Sequence, residues 1–499
     1  MKKYSPVQRR LAATLTVLSC LISGKSVASS EGLLAFQPVA PQAKSGMVMA
    51  STPPAPLAPR VAQKSAVDNH ATSTTHTAFA KSNATNVDRQ TARAPGENEI
   101  RLLFNDAVNT ALGMSPEVRG AQFNTEAAQA NVDEAKGQRW PQVDIGTRSK
   151  SVQFGGGERG YSDSRPAVTV NVATTLLDFG RTSNTIKSRE ALHLAAKENT
   201  GAQAENIAWQ VSSALIELSK QRQIIVLSQK YVARMNELVE MLDGIVKVDQ
   251  GRRSELTQAR GRFLQAQSSL DTAISRARDT EIILNRLLGD TPVPLPTAAV
   301  WNLKPGELNK QLSAIESHPT IRQAQAETAS ALADAEAARS AAYPTVTWNV
   351  GKSTGRDELG REQAWETNVN LSWPIFRGGS QRAAELSAAR RADASREAIE
   401  QQSRDLDNRV RAADQDAHSM LERAGLYHNL SIESDRIRHD FFDQWYHLGR
   451  RTLLDVLSAE SDFYGNQVAE VTNRFDGYSA IFRSYASSGT LLLWLRNNN

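Results

Sequence analysis

Ser115–Pro141, SPEVRGAQFNTEAAQANVDEAKGQRWP, decides how this 499-residue chain is read, because it returns as His318–Pro344, HPTIRQAQAETASALADAEAARSAAYP. Both stretches open on X-Pro and close on aromatic-Pro. Ala121, Ala128 and Ala135 match Ala324, Ala331 and Ala338 at a constant offset of 203 (319 − 116 and 344 − 141). Further along, Val170-Asn171-Val172 and Leu177-Asp178-Phe179-Gly180 match Val369-Asn370-Leu371 and Phe376-Arg377-Gly378-Gly379 at 199 (369 − 170). Gly251-Arg252-Arg253-Ser254 then matches Gly449-Arg450-Arg451-Thr452 at 198 (449 − 251). An offset that drifts by a few residues, and only at loops, marks a tandem duplication of one structural unit. Each unit reads helix, hairpin, very long helix, turn, long helix.

In the first unit a helical stretch at 100–113 precedes a second at 116–139, where Val118, Ala121, Ala128, Val132 and Ala135 recur at helical spacing. After Trp140-Pro141 the period falls to two. Val168, Val170, Val172 and Leu176 share one face, and Thr169, Asn171 and Ala173 the other. In the second unit Val346, Trp348 and Val350 alternate with Thr345, Thr347 and Asn349. Thr367, Val369, Leu371 and Trp373 alternate with Asn368, Asn370 and Ser372. The pattern predicts four strands, each with one apolar and one polar face, paired through glycine-rich loops.

From Arg181 to Val248 there is no proline, and only Gly201 and Gly244 interrupt the run. At 1.5 Å per residue this is a helix of about 100 Å. Gly251 marks a turn. Leu256, Ala259, Phe263, Ala266, Leu270, Ala273 and Ala277 then follow the 3-4 alternation of a coiled-coil seam, as far as Gly289 and Pro292. The second unit repeats this. Ser380 to Leu448 runs out, Gly449 turns, and Leu457, Ser461, Tyr464, Val468, Val471, Phe475, Tyr478, Phe482 and Tyr485 run back. Each outward helix is long enough to be matched by two shorter ones stacked end to end, with Gly289–Pro319 forming a belt at the joint.

Composition agrees with long solvated helices: aromatic residues are 6% and mean hydropathy is −0.43. The net charge of +4 is spread as Lys and Arg interleaved with Glu and Asp, a solvated face rather than a nucleic-acid footprint. Residues 1–28 read as a secretory signal peptide: Lys2, Lys3, Arg9 and Arg10, an uncharged run from Leu11 to Ile22, and small residues at Ser26-Val27-Ala28. Cys20, the one cysteine, falls inside it; Val17-Leu18-Ser19-Cys20 is also a loose lipobox, which would leave Cys20 lipidated. Residues 29–96, rich in Ala, Pro, Ser and Thr, read as disordered. The two structural repeats are expected at 97–299 and 300–499.

A secreted chain with strands of this kind points to part of a transmembrane β-barrel, whose strands need about 9–11 residues each. An open four-stranded sheet cannot sit in lipid with unpaired edges, so several chains must share one barrel. Trp140, Tyr343, Trp348, Trp373 and Phe376 lie at strand ends or on the apolar face, as a membrane girdle requires. Asn171, Asn370, Thr347 and Asn349 are the candidate lumen-facing residues. The competing reading is a soluble hairpin packed on the helices.

Residues 97–496 resemble the TolC-like outer-membrane efflux protein family. The resemblance rests on Ala107-Val108, Ala111-Leu112 and Ser115-Pro116, on Leu176-Leu177-Asp178-Phe179-Gly180-Arg181, and on Gly449-Arg450-Arg451-Thr452-Leu453-Leu454-Asp455-Val456-Leu457. It implies a mainly α fold with a β-barrel portion: long antiparallel coiled-coil helices forming an α-barrel tunnel, and four strands per chain in a homotrimeric twelve-stranded barrel in outer-membrane lipid. It also implies a periplasmic adaptor and an inner-membrane ABC or proton-driven transporter docking at the helical tip. The family's periplasmic gate carries over to Tyr446, Arg451 and Asp455. Ser458 and Thr257 stand where the family has further aspartates, so ion selectivity stays open. Thr452 followed by Asp455 also reads as a capping box. Gly251, Arg252, Arg253, Gly449 and Arg450 are candidate adaptor contacts, with each glycine supplying a turn conformation.

No enzymatic constellation stands out, and no cofactor is expected. Gly155-Gly156-Gly157-Glu158-Arg159-Gly160 fits G-x-G-x-x-G but lies between two strands. His418, His428, His439 and His447 are spread along one helix rather than gathered as a ligand set. The leading expectation is a passive exit duct of a type I protein secretion system, since Trp445-Tyr446-His447-Leu448 and the turn after it look like members paired with ATP-driven exporters. A small-molecule multidrug efflux duct is the alternative, and a trimeric coiled-coil surface adhesin the third reading.

Overall fold

A computed structural model describes residues 94–148, 166–356 and 361–496. The expectations for the signal segment, for Cys20, for 29–93 and for the Gly155–Gly160 loop lie outside the described residues.

Helix α1 (Glu97–Met114) stops at Ser115-Pro116, where the residue before proline takes an extended backbone, ψ 121°. The Ser115 hydroxyl accepts the Val118 N–H at 3.2 Å, starting α2 (Pro116–Gly137) with proline at its head. The second copy uses a ring instead: His318 Nδ1 accepts the Thr320 N–H at 3.0 Å. That contact opens the later helix Pro319–Ser340.

After α2, strands β1 (Gln142–Arg148) and β2 (Ala167–Leu177) form a hairpin, and β3 (Thr345–Ser353) and β4 (Glu366–Ser372) a second. They make one antiparallel sheet in the order β1-β2-β3-β4. Val143, Ile145, Val170, Val172, Val346, Trp348, Val350, Val369 and Leu371 share one face through the register. One expectation is corrected. A bulge between Thr175 and Leu177 pairs Leu177, not Leu176, with Val346, so Leu177 joins the apolar column. β4 has seven residues, short of a full span.

Helix α3 runs from Arg181 to Val248 (68 residues). A 3-10 turn at Gln250–Arg252 leads into α4 (Arg253–Leu288). A short α5 (Leu308–Ala314) precedes α6 (Pro319–Ser340). After the second hairpin come α7 (Ser380–Tyr446, 67 residues), α8 (Leu453–Ser487) and α9 (Leu491–Arg496). α2 and α4 share the length of α3, while α6 and α8 share the length of α7 and also touch α3. This is the end-to-end stacking that the helix lengths require.

At the joint, aromatic side chains from distant segments close the core. Trp301 stacks on Tyr478 at 5.2 Å, and the Tyr478 hydroxyl both accepts the Trp301 N–H and donates to its carbonyl, each at 2.9 Å. Phe104 meets Phe482 at 4.8 Å, and Trp494 of α9 stacks on Tyr485 at 4.5 Å. α9, which the periodicity does not separate from α8, follows a turn at Gly489 and is held by Glu205 of α3. Both oxygens of that carboxylate lie 3.3 Å from the Leu492 N–H. Among the described residues no helix is long and apolar enough to cross a membrane.

Candidate channel wall and helical tip

The sheet brings the four candidate lumen residues onto one face. Thr347 lies opposite Asn370, and Asn349 Nδ2 donates to Asn368 Oδ1 at 3.2 Å. Asn171 sits between Asp144 on β1 and Gly351 on β3. Gln142, Asp144, Thr169 and Glu366 share this polar face by register. The sequence pattern assigns no faces to 142–148 and starts the last strand at Thr367, so it does not find Asp144 and Glu366. The other face stays uncovered: Ile145 is 75% exposed, Val369 65% and Leu371 64%. Leaving that much apolar surface in water forfeits about 25 cal/mol per Å², so the face needs an apolar surrounding.

Trp140, Tyr343 and Trp373 gather where the sheet meets the helices. Tyr343 packs on Phe179 at 5.5 Å, and Trp373 Nε1 donates to the Ala342 carbonyl at 3.3 Å. Trp348 sits further in on β3, its Nε1 donating to Thr367 Oγ1 at 2.8 Å. The far end of β4 carries Trp365, which sequence reasoning missed although it flanks the strand as Trp373 does. Eight residues separate the two tryptophans (373 − 365). At about 3.3 Å each this is roughly 26 Å, close to the apolar band of a membrane barrel. Between sheet and tunnel, Asp178 starts α3: its carboxylate accepts the Gly180 N–H at 3.1 Å and the Thr182 N–H at 2.7 Å.

At the other end of the long helices, the two turns rest on one apolar plug. Met235, Leu238 and Leu242 of α3, Leu256 and Ala259 of α4, Trp445 of α7, and Leu453, Val456 and Leu457 of α8 are buried together. In the second turn Gly449 has φ +60°, and the Arg450 N–H donates to the Gln444 carbonyl at 2.9 Å. Arg451 Nε donates to Gln444 Oε1 at 3.2 Å, and its guanidinium lies 4.1 Å over the Phe441 ring. Tyr446 stacks on Phe442 at 5.7 Å. Thr452 and Asp455 form the capping box: Asp455 N–H donates to Thr452 Oγ1 at 3.3 Å, and the Asp455 carboxylate accepts the Thr452 N–H at 3.1 Å. The Thr452 N–H, then its hydroxyl, hold the Asp455 carboxyl below the usual carboxylate range, helped by the Arg451 charge. The candidate gate residues thus crowd one turn, and each is engaged inside its own hairpin.

In the first turn Asp249 Oδ1 accepts the Gly251 N–H at 3.0 Å, Arg252 reaches Glu255 at 4.0 Å, and Arg253 is the first residue of α4. Gly251 lies in the 3-10 segment and not in the left-handed region, so the shared turn conformation expected of the two glycines holds only for Gly449. Thr257 donates to the Arg253 carbonyl at 3.1 Å. The four spread histidines keep local partners where the geometry shows them: His428 meets Glu470 at 3.1 Å, and His418 and His439 lie 3.7 Å from Asp414 and Asp435. Beyond the plug, Glu460 is a buried carboxylate that sequence reasoning passed over. The signal was a charge in the apolar column of Leu453, Val456 and Leu457.

An uncovered apolar strand face, a polar face opposite, and long helices ending in capped turns define a membrane channel with a helical extension. Residues 107–290 and 312–480, more than half of the chain, match the outer membrane efflux protein family, and the chain belongs to it. It is 28% identical over 370 residues to the outer membrane efflux protein BepC of Brucella suis biovar 1, spanning 71% of this chain and 78% of BepC. It is 29% identical over 182 residues to the pyoverdine export outer membrane protein OpmQ of Pseudomonas aeruginosa, spanning 35% of this chain and 37% of that protein. The solved outer-membrane channel CmeC of Campylobacter jejuni superposes with a TM-score of 0.69 at 16% identity, covering 80% of this chain and 89% of that chain. The fold is that of TolC-like channels, an α-barrel tunnel with a β-barrel portion. The protein is an outer-membrane efflux channel with a periplasmic tunnel, not an enzyme, and the surface-adhesin reading gives way.

Proposed function

We propose that this channel is the exit duct of a type I protein secretion system. The observation that carries this reading is the second tip, where the sequence resembling partners of ATP-driven exporters, Trp445 to Leu457, folds into a capped turn on a common plug. Several copies of the chain share one barrel, because β1 and β4 each pair with only one described strand and a lone sheet would bare its edges to lipid; that there are three of them rests on the resemblance to the family. Leu426, Leu430 and Ile437, exposed at helical spacing on α7, are suited to contact a neighbouring copy. Tyr446, Arg451 and Asp455 close the periplasmic end; Gly251, Arg252, Arg253, Gly449 and Arg450 meet the adaptor that links the duct to its inner-membrane transporter. Asn171, Asn370, Thr347 and Asn349 wet the lumen. Trp140, Tyr343, Trp348 and Trp373 mark the membrane boundary, and the repeats divide near residue 300.

Small-molecule efflux is the second reading, favoured by the similarity to a pyoverdine exporter. A secretome comparison between parent strain and clean deletion separates them. Loss of a few large secreted proteins with drug tolerance unchanged supports protein export. An unchanged secretome with raised dye accumulation overturns it.

A further inference from the structure

Beside the joint where α6 follows α8 along the long helices, a cleft of about 640 Å³ opens between α3 and α7. That is within the range of about 300–1,000 Å³ usual for small-molecule sites. Ala202 of α3, Leu406 of α7 and Ala486 of α8 supply apolar wall. Trp209, one turn beyond Glu205 on α3, adds an indole. The cleft is remote in sequence from the strand residues and from both tip turns.

Two polar groups buried in its wall are acceptors in need of donors. Glu205 is 8% exposed, and both of its oxygens share the Leu492 N–H at 3.3 Å, with the Leu491 N–H also in reach. An ionised carboxylate offers about four acceptor positions, so part of that capacity is unmet. Gln402 of α7 lines the same cleft, and its Oε1 is buried without a hydrogen-bond partner among the described residues. A dry acceptor without a donor is a loss that an incoming N–H recovers.

The charges around the cleft leave room for a cation. Three acids, Glu205, Asp405 and Asp416, stand against two arginines, Arg409 and Arg483, so ionised Glu205 leaves the cleft one positive charge short. Arg483 is taken by Asp416 at 2.5 Å, while Arg409 and Asp405 are exposed one turn apart on α7. His318 Nδ1 accepts the Thr320 N–H, and its ring also bonds the Ala486 backbone. Burial, then the Arg409 charge, holds that imidazole below its usual range, so it brings no competing charge near pH 7. Burial likewise outweighs the Leu492 and Leu491 N–H groups and the Arg496 charge on Glu205, and lifts its carboxyl to about 7. A cation in the cleft reverses that balance, because an opposite charge favours the carboxylate.

We infer that this cleft binds a small lipophilic ammonium ion, its N–H groups donating to the Glu205 carboxylate and Gln402 Oε1 and its hydrocarbon part lying against Trp209 and Leu406. The indole adds the attraction of a π face for a positive charge. A neutral alcohol of the same shape brings one donor and no charge, so it binds far more weakly. Below about pH 7 the cation displaces the Glu205 proton, which passes to solvent. The site goes beyond the exit-duct reading and does not depend on the cargo.

The test is isothermal titration calorimetry of the full-length protein in detergent, with benzylammonium as the probe and benzyl alcohol as its neutral counterpart. The parent is expected to bind benzylammonium and not benzyl alcohol. Its affinity should fall roughly thirtyfold from pH 8 to pH 5.5 as Glu205 takes up a proton. Glu205→Gln keeps the shape and removes the charge, so it should weaken binding by roughly tenfold or more at pH 8 and flatten the pH profile. Gln402→Leu should weaken binding severalfold and keep the pH profile; it carries the test if Glu205→Gln does not assemble. No binding of benzylammonium by the parent overturns the site, as does equal binding of benzyl alcohol. Parent-like affinity in either assembled variant, or a parent affinity that is flat in pH, overturns it as well.

Discussion

The two turns at the tip carry the same Gly-Arg-Arg sequence and fold differently. By alignment Gly251 answers to Gly449, yet α4 starts at Arg253, the equivalent of Arg451, whereas α8 starts at Leu453, two residues later. The cause is one side chain. Asp455 stands at the third position of α8 and closes a capping box with Thr452; its counterpart is Thr257, whose hydroxyl bonds back to its own helix. With no carboxylate to fix the cap, the first return helix extends backwards and no side chain caps it. The difference frees Arg451 to lie over Phe441, while Arg253 is absorbed into helix. A duplicated motif thus gives a turn closed by a capping box on one side and, on the other, a 3-10 turn held by Asp249.

The largest expected effect breaks the platform under both turns. Leu457 is fully buried in the plug, and Leu457→Ala should cost about 2–5 kcal/mol, read as a drop in the thermal unfolding midpoint followed by circular dichroism. Gly449→Ala comes next, because φ +60° costs an alanine about 1–2 kcal/mol. Gly251→Ala should cost less, since no left-handed backbone is required there and an added Cβ would only press Asp249 Oδ1, at 3.1 Å, to shift slightly. Equal effects at the two glycines would show that the turns are alike after all. Thr452→Ala should cost about 1 kcal/mol through the lost cap. The converse change Thr257→Asp should build a box with Ser254 and raise stability by a smaller amount, shifting the start of α4 in hydrogen-exchange protection.

The smallest effect is in pH, and two carboxylates give opposite signs. Asp455 titrates below its ordinary range in the folded protein, so its contribution is present above the unfolded value and disappears as pH falls through the folded one. Glu205 goes the other way: burial pushes its carboxyl up to about 7, against the N–H groups of Leu492 and Leu491 and the charge of Arg496. The folded chain then holds a proton that the unfolded chain releases between about 4.5 and 7, so this contribution is full in acid and is lost as pH rises through 7. Glu205→Gln should flatten the decline of the unfolding midpoint between pH 5 and 8. An unchanged slope would place that titration elsewhere.

Much of this architecture is legible in one dimension because it is local. Arg181 to Val248 is a single helix because nothing in it breaks one. The strand faces follow from period two, and Ser115-Pro116 and His318-Pro319 announce helix starts through backbone chemistry confined to a few residues. The candidate tip residues were found by resemblance, and the turn that gathers them by the glycine. Less legible were the bulge at Leu177, the boundary before α9, Trp365 as the far flank of β4, and the left-handed turn that Gly449 takes and Gly251 does not.

Sequence by itself determined the duplication, the helix lengths and the two-faced strands, since each depends on neighbours within a few residues. Tertiary structure alone decided the partners of Glu460, 226 residues from Arg234; the seat of α9 on Glu205, 287 residues away; and the stacking of Trp301 on Tyr478. A buried charge or ring is fixed by whichever distant group can satisfy it in a dry interior, and periodicity along the chain carries no record of that choice.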